Sequence, residues 1–242
     1  MSQQAWVDLS SDDIRRMLIS LIGHRFGDRP EEHLDEIRAE RAGYARKFIQ
    51  MAGITPTDHV LDLGSGCGFG TAEIARKAGR VIACDISPAY LSFAQRECAD
   101  LPNLEFRQIV SRELSSIESR SIDAVISMAV FIHLNLYDIH LYFEQFRRVV
   151  KPGGKVLIDI ADSNGLFPGP LSLSRLNPFR ALHQDQQFLD HAGFYRDDPS
   201  SLAGLMQWNS APAIKAVARQ SSFRFIRRRG HKLLFQLTKK LA

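Results

Sequence analysis

The stretch from Val60 to Thr71, with the sequence VLDLGSGCGFGT, constrains the fold more than any other part of the chain. Its first four residues are typical of a buried strand, and closely spaced glycines follow at once. Glycine lets the chain turn sharply after a strand and lets backbone amides approach a ligand that a Cβ would hold off. The stretch therefore predicts a strand, a turn and a helix, with a site for a nucleotide-like ligand at the turn.

A second acidic position supports a ligand site at this turn. Asp85 ends the next apolar run, as the distal acid that binds ribose hydroxyls does in dinucleotide-binding folds. The glycine spacing is nevertheless wrong for a dinucleotide fingerprint, because the third glycine of that pattern is replaced by Phe69 or by Thr71, depending on where counting starts. A nicotinamide-dependent reductase is therefore a disfavoured alternative.

The rest of the chain alternates short apolar runs with helical segments, which predicts parallel strands joined by crossover helices. Ser87 and Ser210, each followed closely by proline, are predicted helix N-caps. A turn over 151–154 is expected to lead into the fifth strand, and a turn over 228–230 to join two C-terminal strands. The predicted strands lie near 58–63, 80–84, 104–108, 122–127, 154–160, 223–227 and 232–238.

Two helices are predicted before the glycine turn. Ser10 and Asp13 are spaced as in a capping box, and the helix that follows is expected to end at Gly23. The second helix is expected to run from about Pro30 to Gly53. We interpret the apolar stripes of both as packing faces, with closure over a ligand as the alternative.

The pattern Asp62-x-Gly64-x-Gly66-x-Gly68, followed by Asp85, resembles the class I S-adenosylmethionine-dependent methyltransferases. The resemblance extends in order over residues 41–159 and includes the segments 121–134 and 148–158. It implies an α/β fold: a seven-stranded, mostly parallel sheet with helices on both faces and a C-terminal antiparallel hairpin. The expected single domain comprises N-terminal helices (1–53), a cofactor-binding core (54–161), a substrate cap (162–209) and a C-terminal helix and hairpin (210–242).

The same resemblance implies S-adenosyl-L-methionine as cofactor and S-adenosyl-L-homocysteine as product. Many relatives carry an aspartate for the adenine amino group at the level of 110–111; here Ser111 and backbone groups are expected to replace it. Met128 is expected beside the reactive end of the cofactor, Asp85 at the ribose and Ile86 at the adenine. The implied cofactor-binding residues are Asp62, Gly64, Ser65, Gly66, Gly68, Asp85, Ile86, Ser111 and Met128.

Methyl transfer from a sulfonium requires positioning of donor and acceptor more than a protein nucleophile. His133 is the candidate general base, because histidine titrates near neutral pH. The alternatives are that His133 orders its loop, or that an amine acceptor needs no base. His183, Tyr195 and Trp208 are candidate acceptor contacts in the cap, with packing inside the cap as the alternative. The histidines there follow no metal-ligand spacing, and no metal is predicted.

Composition places further limits on the chain. Its 3 cysteines form no Cys-x-x-Cys pair, so neither a disulfide framework nor a zinc site is predicted, and a reducing, cytoplasmic setting is expected. The N-terminal segment carries Asp8, Asp12 and Asp13, and its apolar run from Met17 to Ile22 is too short for a signal core or a membrane span. The sequence therefore predicts a soluble protein.

The net charge of +4 is concentrated near the C-terminus, where arginines and lysines cluster from Arg224 to Lys240. We interpret the cluster as a solvated hairpin, with a surface for nucleic acid or anionic lipid as the alternative. The predicted function is methyl transfer to an oxygen or nitrogen atom of a small molecule. The same chemistry on a lipid or nucleic acid, or a non-catalytic cofactor-binding role, are the other hypotheses; the sequence specifies neither the acceptor nor the oligomeric state.

Overall fold

The computed structural model describes residues 8–22, 29–110, 112–162 and 207–238. The helices are α1 (Ser11–Ile22), α2 (Leu34–Ala52), α3 (Phe69–Ala75), α4 (Pro88–Glu97), α5 (Leu136–Val149) and α6 (Ala211–Gln220), and short 3-10 turns at Pro30–His33 and Phe131–His133 precede α2 and α5. The strands are β1 (His59–Leu63), β2 (Arg80–Asp85), β3 (Leu104–Gln108), β4 (Ile122–Ser127), β5 (Val150–Asp159), β6 (Ala161–Asp162), β7 (Trp208–Asn209), β8 (Phe223–Arg229) and β9 (Lys232–Leu237).

Seven strands form one sheet in the order β3-β2-β1-β4-β5-β9-β8. The first five strands are parallel, and β9 pairs antiparallel with both β5 and β8. This confirms the predicted fold class, including the C-terminal hairpin. The strand order reverses at β1, which lies between β2 and β4, and ligands of open α/β sheets bind outside the carboxyl ends of the strands at such a point.

Helices cover both faces of the sheet, which explains the continuous apolar runs of the central strands. Side chains alternate between the faces: Leu61 packs in the core that contains α5 and α6, whereas Val60 packs in the core that contains α2 and α3. Phe143 and Phe48 are the fully buried aromatic centres of these two cores.

The predicted helix boundaries are largely confirmed. Ser10 and Asp13 cap α1 reciprocally, with Asp13 N donating to Ser10 Oγ at 3.2 Å and Ser10 N donating to Asp13 Oδ2 at 3.0 Å. Ser87 caps α4 and Ser210 caps α6, each by accepting from a backbone N–H three residues on. Gly53 ends α2 in the left-handed conformation, with φ of 67°.

Two strand boundaries differ from the prediction. β5 begins at Val150 because that buried residue already pairs with Ile122, and the register then shifts so that Ala124 pairs with Lys155. The predicted turn over 151–154 therefore lies within the bounds of β5, and Gly153 has the positive φ, 85°, that a type II turn requires at this position. The hairpin turn lies at Gly230 and His231, not at 228–230, because Arg229 still pairs with Lys232.

All 3 cysteines are buried and free of disulfides. Within the described segments, no helix is both long and apolar enough to cross a bilayer.

Candidate functional site

The turn after β1 lies against the carboxyl end of β2. The amides of Gly64 and Ser65 both donate to the Cys84 carbonyl, at 2.7 and 3.0 Å. Gly64, Gly66 and Gly68 have φ of 79°, 52° and 81°, a backbone conformation that other residues adopt only with strain. The glycine pattern in the sequence is therefore required by the path of the turn.

The three glycines differ in what surrounds them. A Cβ on Gly64 would lie 2.1 Å from Val130 Cγ2, and one on Gly68 would lie 2.9 Å from Ala94 Cβ. A Cβ on Gly66 would meet only Leu21 Cδ1 within 4 Å, at 3.7 Å. Gly64 and Gly68 thus allow close packing of the turn against its neighbours, whereas Gly66 lies at the more open part of the turn.

Asp85 connects the turn to β2. Its Oδ2 accepts from Gly66 N at 2.8 Å, and its Oδ1 accepts from Ser87 N at 2.9 Å. Asp85 is buried, with 7% of its surface exposed. Burial raises the pKa of the Asp85 carboxyl, and the two backbone hydrogen bonds oppose that shift. The next residue, Ile86, is 46% exposed and offers an apolar surface beside this acid.

Asp62 lies behind the turn and is fully buried. Its Oδ2 accepts from Thr71 Oγ1 at 2.6 Å, which ties the end of β1 to the start of α3. Burial raises the pKa of Asp62 to about 7. Its Oδ1 and the Oγ of Ser65 are buried without a hydrogen-bond partner among the described residues. Buried polar atoms are rarely left unpaired, so these two atoms indicate a place for a bound water or ligand group.

The structure does not place the other two predicted cofactor contacts, Met128 and Ser111, at the glycine turn. Met128 packs in the core on the α2 and α3 side of the sheet, close to Gly70, where an added Cβ would lie 2.7 Å from Met128 Cε. Ser111 lies outside the described residues, and the preceding Val110 is 94% exposed. Their roles at the cofactor stay predictions.

A cavity of about 860 Å³ opens at the carboxyl ends of β4 and β5. Helix α2 forms one wall through Arg41 and Tyr44, Ala129 and Asp159 contribute from the strand ends, and the hairpin turn contributes His231. The other described lining residues are Ala39, Glu40, Gly43, Lys47, Ile132, Ile160, Ala161, Asp162, Arg228 and Gly230.

A hydrogen-bonded group of four residues lies at this cavity. Both carboxylate oxygens of Asp159 lie 2.9 Å from Ala129 N, which donates to them, and Tyr44 Oη donates to Oδ2 at 2.7 Å. His231 Nε2 lies 2.9 Å from Tyr44 Oη. Asp159 is only 2% exposed, and Ala129 has a positive φ of 59°. Burial raises the pKa of the Asp159 carboxyl and of the Tyr44 hydroxyl.

Sequence reasoning missed these residues as parts of a site. Asp159 ends an apolar run as Asp85 does, and this shared pattern is the one sequence feature that could have indicated Asp159 as a site residue. Tyr44 lies on the apolar stripe of α2, which the sequence indicates only as a packing face, although Tyr44 lines the cavity. His231 was assigned to a solvated hairpin tip; no local pattern indicates that antiparallel pairing of β9 with β5 brings this tip to the cavity.

The structure does not bring every predicted active-site residue to the cavity. Ile132 lines it, but the next residue, His133, does not appear in the lining that the structure describes. The backbone of Trp208 pairs with that of Ala161 in the small sheet of β6 and β7. His183 and Tyr195 lie outside the described residues. The catalytic or acceptor-binding roles of these four residues stay predictions.

The described residues contain no group of three or more His, Cys, Asp or Glu side chains placed to hold a metal ion. His183 and the other histidine of the predicted cap, His191, lie outside that search.

Comparison with known sequences identifies a methyltransferase domain over residues 60–154. The chain is 32% identical over 117 residues to demethylmenaquinone methyltransferase of Tropheryma whipplei, covering 48% of this chain and 47% of that protein. It is 31% identical over 83 residues to ribosomal RNA small subunit methyltransferase A of Thermotoga maritima, covering 34% of this chain and 30% of that protein. The match therefore spans less than half of the length of these relatives.

Solved structures share the fold at low sequence identity. A methyltransferase solved in complex with the Haloferax volcanii Trm112 methyltransferase activator is 16% identical, with a TM-score of 0.62 and coverage of 93% of this chain and 97% of that one. An S-adenosylmethionine-dependent methyltransferase from Aquifex aeolicus is 15% identical, with a TM-score of 0.55 and coverage of 80% and 89%. The domain match, the sheet order and the glycine turn with its two acids agree: residues 60–154 match a methyltransferase domain, within a sheet that has the class I methyltransferase fold.

Proposed function

We propose that this protein transfers the methyl group of S-adenosylmethionine to an oxygen or nitrogen atom of a small molecule held in the 860 Å³ cavity. The observation that carries the proposal is the position of the segment after β4. Val130 packs against Gly64 of the glycine turn, while Ala129 and Ile132 line the cavity. One short segment thus separates the cofactor site from the space available to an acceptor.

The residues at the turn fit the cofactor. Asp85 presents a carboxylate for ribose hydroxyls, Ile86 an exposed apolar side chain for adenine, and Gly66 an open stretch of backbone. The unpaired Ser65 Oγ is a further polar group for the ligand, and Asp62 supports the turn from behind through Thr71. When bound, S-adenosylmethionine supplies a methyl group already activated by the sulfonium. The protein has to hold the acceptor in line and keep water away.

The cavity favours a small-molecule acceptor. Its volume lies within the range of about 300 to 1,000 Å³ that is typical of small-molecule sites. It combines apolar side chains such as Ile132 and Ile160 with a few polar groups such as Tyr44 and Asp159. The names of the relatives differ in acceptor, from demethylmenaquinone to ribosomal RNA, so this chain's own cavity is the stronger argument.

A lipid or nucleic-acid acceptor bound by the basic hairpin is the second candidate. Three of its arginines make contacts within the protein: Arg224 donates to Gln236 Oε1, Arg227 to the Met51 carbonyl, and Arg228 pairs with Asp162 at 2.6 Å. Guanidinium groups engaged in this way are less available to phosphates, so we rank this candidate below a small molecule.

The experiment is transfer of methyl label from S-adenosylmethionine into cell extract that is then separated into small-molecule, lipid, nucleic-acid and protein fractions. We expect label in the small-molecule fraction, and loss of that label with Asp85→Asn. Label in lipid or nucleic acid that disappears steeply with added salt would instead favour the basic hairpin. Absence of label, with S-adenosylhomocysteine bound in calorimetry, would favour a non-catalytic role. Tighter binding of a nicotinamide dinucleotide than of S-adenosylmethionine would contradict the cofactor assignment.

A further inference from the structure

We propose that His231 is the general base of the acceptor cavity, that Tyr44 and Asp159 hold it in the required tautomer, and that the acceptor is an aromatic hydroxyl. This inference rests on the proposed function. It differs from the base expected from the sequence, His133, by placing the proton acceptor in the C-terminal hairpin.

The hydrogen bonds assign the tautomer of His231. Tyr44 Oη has a single proton, and it donates that proton to Asp159 Oδ2 at 2.7 Å. The hydroxyl cannot also donate to His231, so Nε2, 2.9 Å away, carries a hydrogen and donates it to Tyr44 Oη. The Nδ1 atom then keeps its lone pair. Nδ1 has no hydrogen-bond partner among the described residues, and His231 lines the cavity.

Lys232 is the other group at Nε2, with its Nζ 3.2 Å from that atom. A lysine ammonium can only donate, so this contact is a hydrogen bond only when Nε2 carries no hydrogen. The contact to Tyr44 is the shorter of the two, and Lys232 Nζ lies over the Tyr44 ring, 4.7 Å from its centroid. We therefore assign the hydrogen on Nε2 to the bond with Tyr44.

The hydrogen-bonded group of Tyr44, Asp159 and His231 is attached to the segment after β4, which borders the proposed cofactor site. Asp159 accepts from Ala129 N with both carboxylate oxygens, and Ala129 directly precedes Val130, which packs against Gly64. Asp159 and Lys232 are paired across β5 and β9, so the sheet itself sets the position of the adjacent His231. The base is thus held by three elements, α2, β5 and the hairpin.

Burial and the nearby cations favour the neutral form of His231. Burial lowers the pKa of its imidazole, Lys232 and Arg228 lower it further, and Asp159 opposes them. A neutral imidazole can accept a proton at neutral pH. The titratable and charged groups around it on the packed elements are Glu40, Arg41, Tyr44 and Lys47 on α2, Asp159 on β5, Asp162 on β6, Arg228 on β8 and Lys232 on β9. Arg229, on β8, acts on Lys232.

The proton balance favours an aromatic hydroxyl. The acceptor O–H bond breaks, its proton moves to Nδ1, and its electron pair forms the bond to the transferred methyl carbon. The pair of the broken carbon–sulfur bond stays on sulfur, so the positive charge of the sulfonium is replaced by that of the imidazolium. A phenolic hydroxyl has a pKa of about 10, which is closer to the pKa of imidazole than that of an aliphatic alcohol is. A neutral amine needs no base before transfer.

The first test reads the tautomer by nitrogen NMR of the full chain, labelled at histidine, with S-adenosylhomocysteine added. We expect His231 to be neutral near pH 7 with its hydrogen on Nε2. Asp159→Asn should move the hydrogen to Nδ1, because the asparagine amide can donate to Tyr44 and the tyrosine then donates to Nε2. Tyr44→Phe should leave a mixture, and it serves as the second variant if Asp159→Asn does not fold. A wild-type Nδ1–H tautomer, or variants without effect, would overturn the proposal.

The second test measures label transfer into the small-molecule fraction as a function of pH. His231→Gln should lower kcat by about 10²- to 10⁴-fold and remove the loss of activity at acid pH that protonation of His231 causes, with S-adenosylhomocysteine affinity unchanged. His33→Gln is the matched control, because His33 pairs with Glu36 outside the cavity. The labelled product should be a methyl ether; a methylated amine, or full activity of His231→Gln, would overturn the proposal. If wild type binds S-adenosylhomocysteine but transfers nothing, the proposed function fails instead, and the NMR result still decides the tautomer.

Discussion

Gly64 lies directly against Val130, so that a Cβ at position 64 would come within 2.1 Å of Val130 Cγ2. This contact joins the glycine turn after β1 to the segment after β4, which is also the wall of the cavity. A change at Gly64 therefore acts on both halves of the site.

Gly64→Ala is expected to lower the free energy of unfolding by about 3 kcal/mol, since a positive φ and overpacking each cost about 1 to 2 kcal/mol. Affinity for S-adenosylhomocysteine should fall at least tenfold in calorimetry. Gly230→Ala is the matched control, because Gly230 also has a positive φ, 61°, but an added Cβ would meet nothing within 4 Å. Equal effects of the two variants would contradict the packing argument.

Asp85→Asn should weaken S-adenosylhomocysteine binding by about 10- to 100-fold, because a hydrogen bond to a charged group contributes about 1.5 to 3 kcal/mol. The asparagine oxygen can still accept one backbone hydrogen bond, so we expect little loss of folded structure by circular dichroism. Asp100→Asn, at an exposed position after α4, should leave the affinity unchanged. Wild-type affinity in Asp85→Asn would remove this residue from the cofactor site.

Asp62→Asn should change the pH dependence of stability. Burial raises the pKa of Asp62 in the folded protein to about 7, from an ordinary value of 3.8. The stabilisation that this protonated carboxyl provides is complete below the lower value and is lost as pH rises to about 7. Relative to the variant, the wild type should therefore lose stability between pH 4 and 7, by at most about 1.4 kcal/mol per pH unit, and then remain level.

Urea unfolding of both proteins at several pH values measures this difference. A constant difference between Asp62→Asn and wild type from pH 4 to 8 would contradict the raised pKa.

The cysteines are expected to be unreactive in the folded protein. Burial raises the pKa of the Cys84 and Cys98 thiols to about 12 and raises that of Cys67 as well, so little thiolate exists at pH 8. Titration with a disulfide reagent should find all 3 thiols only after unfolding in guanidinium chloride. Rapid reaction of one thiol in the native protein would show that the turn or α4 opens readily.

Local patterns account for the part of the site that sequence reasoning found. The glycines of the turn have positive φ, Asp85 ends a strand, and Ser87 caps the helix that follows. Each of these features depends on residues that are neighbours in the sequence, so each can be predicted from a short segment. The same patterns misplaced the hairpin turn by one or two residues, because pairing of Arg229 with Lys232 depends on the partner strand.

The residues that line the cavity at the ends of β4 and β5 could not be predicted from local patterns. Tyr44 and Asp159 are 115 positions apart, and Tyr44 and His231 are 187 positions apart. Their contacts depend on α2 packing over the end of β5 and on β9 running antiparallel to it. A tyrosine on an apolar stripe and a histidine in a basic turn have no local feature that identifies them as partners.

The sequence by itself determined the fold class, the order of strands and helices along the chain and the glycine turn, since these depend on periodicity, capping and glycine conformation over a few residues. Only the tertiary structure decided which residues line the cavity, which of the three glycines has the most open surroundings, and which histidine reaches the cavity. Those outcomes depend on how distant strands pair and how helices pack on the sheet, and such long-range contacts are not encoded in the spacing of neighbouring residues.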